Sequence, residues 1–217
     1  MGETSADAVA RHVRQLVIDG VLRKGQRLPQ DQIAAAVGVS RIPVREAIIA
    51  LEREGWLRVE PHRGAFVNGL DDEAVIDHYE LHGRYVGFAA RRAIARMSPT
   101  QLAELDRLAE RLAGAVSPAE TERASRAYVD GLVAVSSSAR LEVALRSMVP
   151  IVPANFYTAV PDAVVAQQRG VARLHRAVRD GDAEAAERAW IATEVEQAGR
   201  VIALLRAHHI TAGATAS

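Results

Sequence analysis

No cysteine occurs in the 217 residues. Disulfides, thiolate catalysis and cysteine-ligated zinc or iron–sulfur sites are therefore excluded. Aromatic residues are scarce, at 4%, which argues against an all-β sandwich and against a base-stacking platform. Apolar runs are only a few residues long, so no helix crossing a membrane is expected. Met1 to Ser5 offer neither a basic stretch nor an apolar one, so no secretory signal and a cytoplasmic chain are expected. Net charge is missing as well, with 27 basic side chains against 27 acidic. A zero sum speaks against nucleic acid only if charge is evenly spread. It is not quite even: residues 1–70 hold 10 basic and 8 acidic side chains, and residues 71–217 hold 17 and 19. With 49% apolar and 25% charged residues, the chain can bury a core, and its length suits one large domain or two small ones.

Helical spacing begins near Asp7 and runs to Asp19, with Ala10, Val13, Leu16 and Val17 on one side and Gly20 as the stop. A short helix is expected over 30–37, closed by Gly38. After the turn Val39-Ser40, another runs over about 41–55, with Val44, Ala47, Ile48 and Leu51 as its stripe and Pro43 in its first turn. Two β-like pieces, 56–59 and 65–67, flank Pro61-His62-Arg63-Gly64. Helix, helix, turn, helix, hairpin is the layout of a winged helix-turn-helix. Residues 68–72 read as a joint. Beyond them, helices are expected over about 73–96, 99–115, 118–136, 139–149, 162–180 and 183–208, broken at Ser-Pro, Pro and Gly-Asp steps. The expected fold is mainly α: a winged helix-turn-helix over 1–69, an antiparallel all-α helical bundle over 70–210, and a flexible tail over 211–217.

Function is carried by Val39-Ser40-Arg41-Ile42-Pro43-Val44-Arg45-Glu46-Ala47-Ile48, then Leu51-Glu52-Arg53-Glu54-Gly55-Trp56-Leu57, then Arg63-Gly64-Ala65-Phe66-Val67. Arg41 and Arg45 are four apart and share a helix face, about a quarter-turn from the apolar stripe. A guanidinium at the start of a recognition helix can hold guanine O6 and N7 bidentately. Ser40 and the helix N-terminus suit phosphate oxygens, and a compact turn carrying His62, Arg63 and Gly64 can enter a minor groove. The plainer reading is of solvated surface charges beside an ordinary hairpin.

These three segments resemble the signatures of the GntR family of bacterial transcription regulators, V-S-R-x-P-V-R-E-A-L, L-x-x-E-G-[LW]-[LV] and R-G-[AT]-F-V. The resemblance covers about residues 6–69 and implies DNA contacts from Gln30, Gln32, Ser40, Arg41, Pro43, Arg45, His62, Arg63 and Gly64. One departure stands out. Where family members carry L-x-E-R-x-L-A, this chain has Leu28-Pro29-Gln30-Asp31-Gln32-Ile33-Ala34. Phosphate would repel Asp31 in the place of that Arg, so either Gln30 or Gln32 makes the contact, or the operator differs.

The second half resembles, more loosely, the FCD ligand-binding domain of the FadR-type subgroup. The supporting segments are Asp77 to Arg84 and Ala177 to Ala186, the latter like the family's A-I-x-x-G-D-x-x-A-A turn. Many such domains hold a divalent metal on an Asp and three His. Alignment puts those positions on Ser125, Val129, Val171 and Thr193, and no His lies between His82 and His175. The family's Arg on the first bundle helix becomes His82, and its nearby Glu becomes Val86. No metal or other cofactor is therefore expected, although a shifted site on His78, His82 and His175 is an alternative. A rather apolar effector would fit, with Tyr85, Val86, Val129 and Val171 as wall and His82, Arg84, Ser125, Arg126 and Thr193 orienting a polar head. The plainer alternative makes those valines bundle core, His78 solvent-facing and His208-His209 surface.

The resemblance implies a ligand-responsive regulator, a repressor in the commonest mode, acting as a homodimer on a pseudo-palindromic double-stranded DNA operator. The alternative is an effector-independent regulator whose bundle only dimerises or binds another protein. An enzyme is not expected, because no phosphate loop, H-E-x-x-H or G-x-S-x-G occurs. No membrane partner is expected.

Overall fold

The computed structural model of the chain describes residues 4–148, 151 and 156–207. The expected tail at 211–217, and His208 and His209, lie outside them. The chain divides into two compact units, one mainly of residues before 75, the other of 75–149 and 154–204.

In the first unit, α1 (Ser5–Ile18) starts two residues earlier than its apolar spacing suggests, because Thr4 and Asp7 close a reciprocal capping box ahead of the stripe. α2 (Gln30–Val37) ends on Gly38, whose φ of 76° lies in the left-handed region. α3 (Arg41–Arg53) follows, then β1 (Leu57–Glu60) and β2 (Gly64–Val67), paired antiparallel with Leu57 opposite Val67. Val13 of α1, Ile33 of α2, Val44 and Leu51 of α3, Leu57 and Val67 are all at most 2% exposed and form one core. Each such side chain contributes roughly 1.5–3 kcal/mol by leaving water. Arg14 on α1 clamps Glu54, the C-cap of α3, through contacts of 3.0, 2.9 and 2.6 Å. The hairpin has a third partner that the spacing does not show. Residues 25–28 lie along β2, with Gly25 N–H donating to Val67 O (2.8 Å), Val67 N–H to Gln26 O (2.9 Å) and Leu28 N–H to Ala65 O (2.9 Å).

The second unit is helical: α4 (Asp72–Ile94), α5 (Pro99–Ala113), α6 (Pro118–Ser136), α7 (Ala139–Ser147), α8 (Phe156–Ala159), α9 (Pro161–Arg179) and α10 (Ala183–Ala207). The expected helices are present, with ends within two residues. α8 is a correction: one turn is too short to show a period. Ser98-Pro99 and Ser117-Pro118 start α5 and α6 through capping boxes with Gln101 and Glu120. The core gathers Val86 and Ala90 of α4, Leu105 of α5, Tyr128 and Leu132 of α6, Val171 and Leu174 of α9 and Trp190 of α10. α9 and α10 approach closely at Gly170, where a Cβ would stand 2.2 Å from Thr193 Cγ2. No helix among the described residues is long and apolar enough to cross a membrane.

Candidate functional site

Two places on the chain can do chemistry with another molecule. The first is the start of α3 and the hairpin. Ser40 is the N-cap of α3, exposed and extended, and its hydroxyl makes no capping bond. It stands beside the positive end of the helix dipole, where an anion is stabilised. Val44, Ala47, Ile48 and Leu51 turn inward, which leaves Arg41 and Arg45 exposed on the outer side. Arg45 makes no ion pair among the described residues. Arg41 does: its Nη2 lies 2.9 Å from Asp31 Oδ1 on α2. The residue that departs from the expected pattern thus occupies the guanidinium of Arg41, one of the two arginines expected to face DNA. Gln32 is exposed, while Gln30 and Pro43 are partly covered.

At the hairpin tip His62 and Gly64 both take positive φ, 61° and 105°. Positive φ favours glycine at 64, and a Cβ there would also crowd Arg27 Nε at 3.1 Å. Arg63 pairs with Glu60, and its guanidinium covers the Phe66 ring at 5.6 Å. Arg58 shares the same ring at 5.2 Å and the same Glu60 at 3.2 Å. His62 and Arg63 are exposed. The tip therefore carries cations whose guanidiniums rest on an aromatic face and on Glu60 while staying open to water.

The second place is the interior of the helical unit. His82 Nδ1 lies 3.2 Å from Glu194 Oε1 of α10. Burial opposes charge on His82, yet the hydrogen bond and the charge of Glu194 outweigh it and raise its pKa. His78, one turn earlier, is pushed down to about 4 by burial and by His82. It is partly buried and edge-on to Tyr79, which corrects the solvent-facing alternative. His175 stands between Tyr128 Oη (3.1 Å, on Nδ1) and Asp106 Oδ1 (3.0 Å, on Nε2). Burial lowers its pKa despite Asp106, and Arg179 also reaches Asp106, at 3.3 Å. A separate chain joins Ser125, Gln167 and Gln197: Gln167 Nε2 donates to Ser125 Oγ (2.6 Å), and Gln197 Nε2 donates to Gln167 Oε1 (2.9 Å).

Known sequences and structures bear on both places. Residues 5–67 match the gntR family of bacterial regulatory proteins, and residues 87–193 match the FCD domain. The chain carries a GntR-type helix-turn-helix domain followed in sequence by an FCD domain. It is 39% identical over 105 residues to an uncharacterized HTH-type transcriptional regulator of Mycobacterium tuberculosis, which is 48% of this chain and 43% of that protein. It is 32% identical over 128 residues to the Nta operon transcriptional regulator of Aminobacter aminovorans, 58% of this chain and 61% of that one. The matches thus span less than two thirds of these relatives' own length. A GntR family transcriptional regulator from Pseudomonas syringae superposes with a TM-score of 0.55 at 26% identity, covering 94% of this chain and 87% of that one. The Escherichia coli protein McbR/YncC shares the fold, with a TM-score of 0.63 at 21% identity over 95% and 99% of the two chains.

In this GntR/FCD chain the four positions aligned with family metal ligands do not fit a metal. Ser125 Oγ accepts from Gln167. Val171 is 1% exposed in the bundle core, and Val129 packs against that core. Thr193 Oγ1 donates to Ala189 O at 2.7 Å, with its methyl on Gly170. None of these atoms is an imidazole or a carboxylate. Among the described residues, no group of three or more His, Asp or Glu has a metal-holding arrangement. His78 and His82 come together on α4, while His175 is engaged by Tyr128 and Asp106.

Of the other residues expected to line a site, Val86 is fully buried in core and Tyr85 partly buried beside Val133 and Leu141. Arg84 and Arg126 point to solvent and pair one turn back with Glu80 (2.6 Å) and Glu122 (3.3 Å).

Sequence reasoning missed Ile42, Arg27, Gln167 and Gln197. Ile42 is 69% exposed at the start of α3, where an apolar side chain can meet a thymine methyl. Its signal was legible, since it lies off the 44–47–51 stripe. Arg27 had none, because only the pairing of 25–28 with β2 brings it to the tip. The two glutamines gave no signal, because a Gln on a charged helix reads the same whether it faces water or core.

Proposed function

We propose that the chain is a DNA-binding transcription regulator, cytoplasmic and homodimeric, that reads the half-sites of a pseudo-palindromic operator and responds to a small effector held in the FCD domain without a metal. The observation that carries this is the outer face of α3. Ser40, Arg41 and Arg45 are exposed at a helix N-terminus, and the same unit carries an exposed wing tip of His62 and Arg63. These groups can hold phosphates through Ser40, the helix end and Arg side chains, and can read guanine through Arg45. Gln32, Arg27 and Ile42 extend the same interface, with Gln30 and Pro43 at its edge.

Two readers on one operator require two copies of the chain. In support, Leu81 and Phe88 lie seven apart on α4 and are exposed at 49% and 45%, an apolar stripe suited to a copy of itself. Effector binding would then shift the spacing of the readers, releasing DNA in the repressor mode. The uncharged Ser125, Val129, Val171 and Thr193 support a metal-free effector.

The test is fluorescence anisotropy with duplexes selected from a randomised library. Arg45→Ala weakens binding and relaxes base preference at one position per half-site, with the fold intact by circular dichroism. Unchanged affinity and preference refute the reading.

A further inference from the structure

The interior of the helical unit holds buried polar atoms whose partners are missing. Gln197, Gln167 and Ser125 are 4%, 6% and 6% exposed. Every donor in their chain points the same way: Gln197 Nε2 to Gln167 Oε1, with a second contact to Ala163 O at 3.3 Å, and Gln167 Nε2 to Ser125 Oγ. Gln197 Oε1 is left at the end as an acceptor with no partner. Thr121, one turn before Ser125 on α6, is fully buried, and its Oγ1 is also unpaired. Tyr79 Oη of α4 is a third unpaired buried atom. Burial, then the charges of Glu194 and Tyr157, raise the Tyr79 pKa, so its hydroxyl keeps its proton and remains a donor. Glu194, one turn before Gln197 on α10, ties this group to His82. Native interiors leave only a few such atoms unsatisfied, and each calls for an explanation. Here Tyr79 of α4, Thr121 of α6 and Gln197 of α10 supply three of the five found among the described residues.

We propose that this assembly is the ligand site of the helical domain, and that it takes an uncharged molecule presenting a hydrogen-bond donor beside an acceptor, as a carboxamide does. The inference rests on the reading of the domain as an effector sensor and deepens it. The ligand N–H meets Gln197 Oε1, and the ligand carbonyl, with two lone pairs, accepts from both Tyr79 Oη and Thr121 Oγ1. A carboxylate is disfavoured on two grounds. It would face the Gln197 oxygen and the Glu194 carboxylate. Several cations of these helices are also already engaged: His82 by Glu194, Arg126 by Glu122, Arg84 by Glu80 and Arg173 by Glu196. A buried charge without a partner is strongly penalised. An ammonium would have to displace His82 from Glu194.

The experiment uses the full chain and a matched set of probes: hexanamide, hexanoate with and without zinc chloride, and hexylamine. Binding is read by saturation-transfer NMR and by thermal shift. Hexanamide binds and raises Tm, and the other two do not. Thr121→Val removes an unpaired hydroxyl at nearly constant volume, so the ligand-free protein melts at a higher temperature while its affinity for hexanamide falls about fivefold or more, the worth of one hydrogen bond. Tyr79→Phe serves as the second variant with the same two outcomes. Hexanoate binding as tightly as hexanamide, tighter hexylamine binding, or silence of hexanamide overturns the proposal. Duplex binding by the same samples separates the two readings. A chain that binds hexanamide but no duplex sinks the regulator and keeps the site, whereas a chain that binds duplex but not hexanamide loses the site alone.

Discussion

Asp31 is the sharpest handle on the proposed reader. It lies one residue into α2, 73% exposed, with its carboxylate 2.9 Å from a 75% exposed Arg41. An ion pair this open to water contributes little to folding, so Asp31→Asn leaves Tm unchanged. On DNA the effect is larger, because Arg41 must give up Asp31 before it can hold a phosphate or a base. Each added phosphate contact releases counterions and steepens log K against log salt by about 0.9. Freeing one arginine in each of two readers steepens the slope by about 1.8, so affinity drops about 12-fold more between about 50 and about 200 mM KCl than for the unaltered chain. At the lower salt the variant binds more tightly. The assay is anisotropy of a labelled duplex of random sequence, titrated at four or more salt concentrations. An unchanged slope refutes the argument. A weaker binder at low salt refutes it differently, by making Asp31 the residue that aims Arg41.

Three other outcomes are expected. His78 has a folded pKa of about 4 against an ordinary 6.5, so as pH falls below about 6.5 the unfolded chain takes up the proton first, and stability declines until about pH 4. The loss is up to about 3 kcal/mol. His82, shifted upward, contributes fully below 6.5 and loses its contribution as pH rises, so it does not mask this window; denaturant melts of His78→Asn should show a flatter profile there than the parent chain. Gly170→Ala forces a methyl onto Thr193 Cγ2 at 2.2 Å and should destabilise the helical unit by about 1–3 kcal/mol in thermal melts, with Thr193→Ser restoring part of it. Arg14→Leu strands Glu54, a largely covered carboxylate at 19% exposure, and should cost about 2–3 kcal/mol in urea melts, lost first from circular dichroism of the reader.

Most of the architecture was legible in the sequence for definite reasons. The α3 stripe, the Gly38 turn and the Ser-Pro starts are local signals, each written in consecutive residues. What was not legible depends on residues far apart in the chain. Arg41 meets Asp31 across a turn, and the sequence showed only that Asp31 was out of place. Arg27 reaches the wing because residues 25–28 pair with β2, which no periodicity encodes. In the helical half, alignment showed which ligands were lost but not what replaced them. Ser125 meets Gln167 and Gln197 from two other helices, and a Gln on a charged helix looks the same whether it faces water or core. The vacated positions Val86, Val171 and Thr193 sit in close-packed interior, while Tyr79, Thr121 and Gln197, which no spacing singles out, carry unpaired polar atoms.

The bonds from residues 25–28 to β2 have a mechanical consequence. Leu28 is held to Ala65 only two residues before α2 begins, and Gly25 is held to Val67 at the far end of the strand. The wing and the helix carrying Asp31 are thereby laced into one body, with no free length of chain between them. In the proposed regulator, an effector cannot retune a single reader by swinging its wing away from α2. Control in the proposed dimer would then fall on moving whole readers, so the tolerance of the pair for half-site separation, rather than the sequence each one prefers, is the quantity a ligand would change.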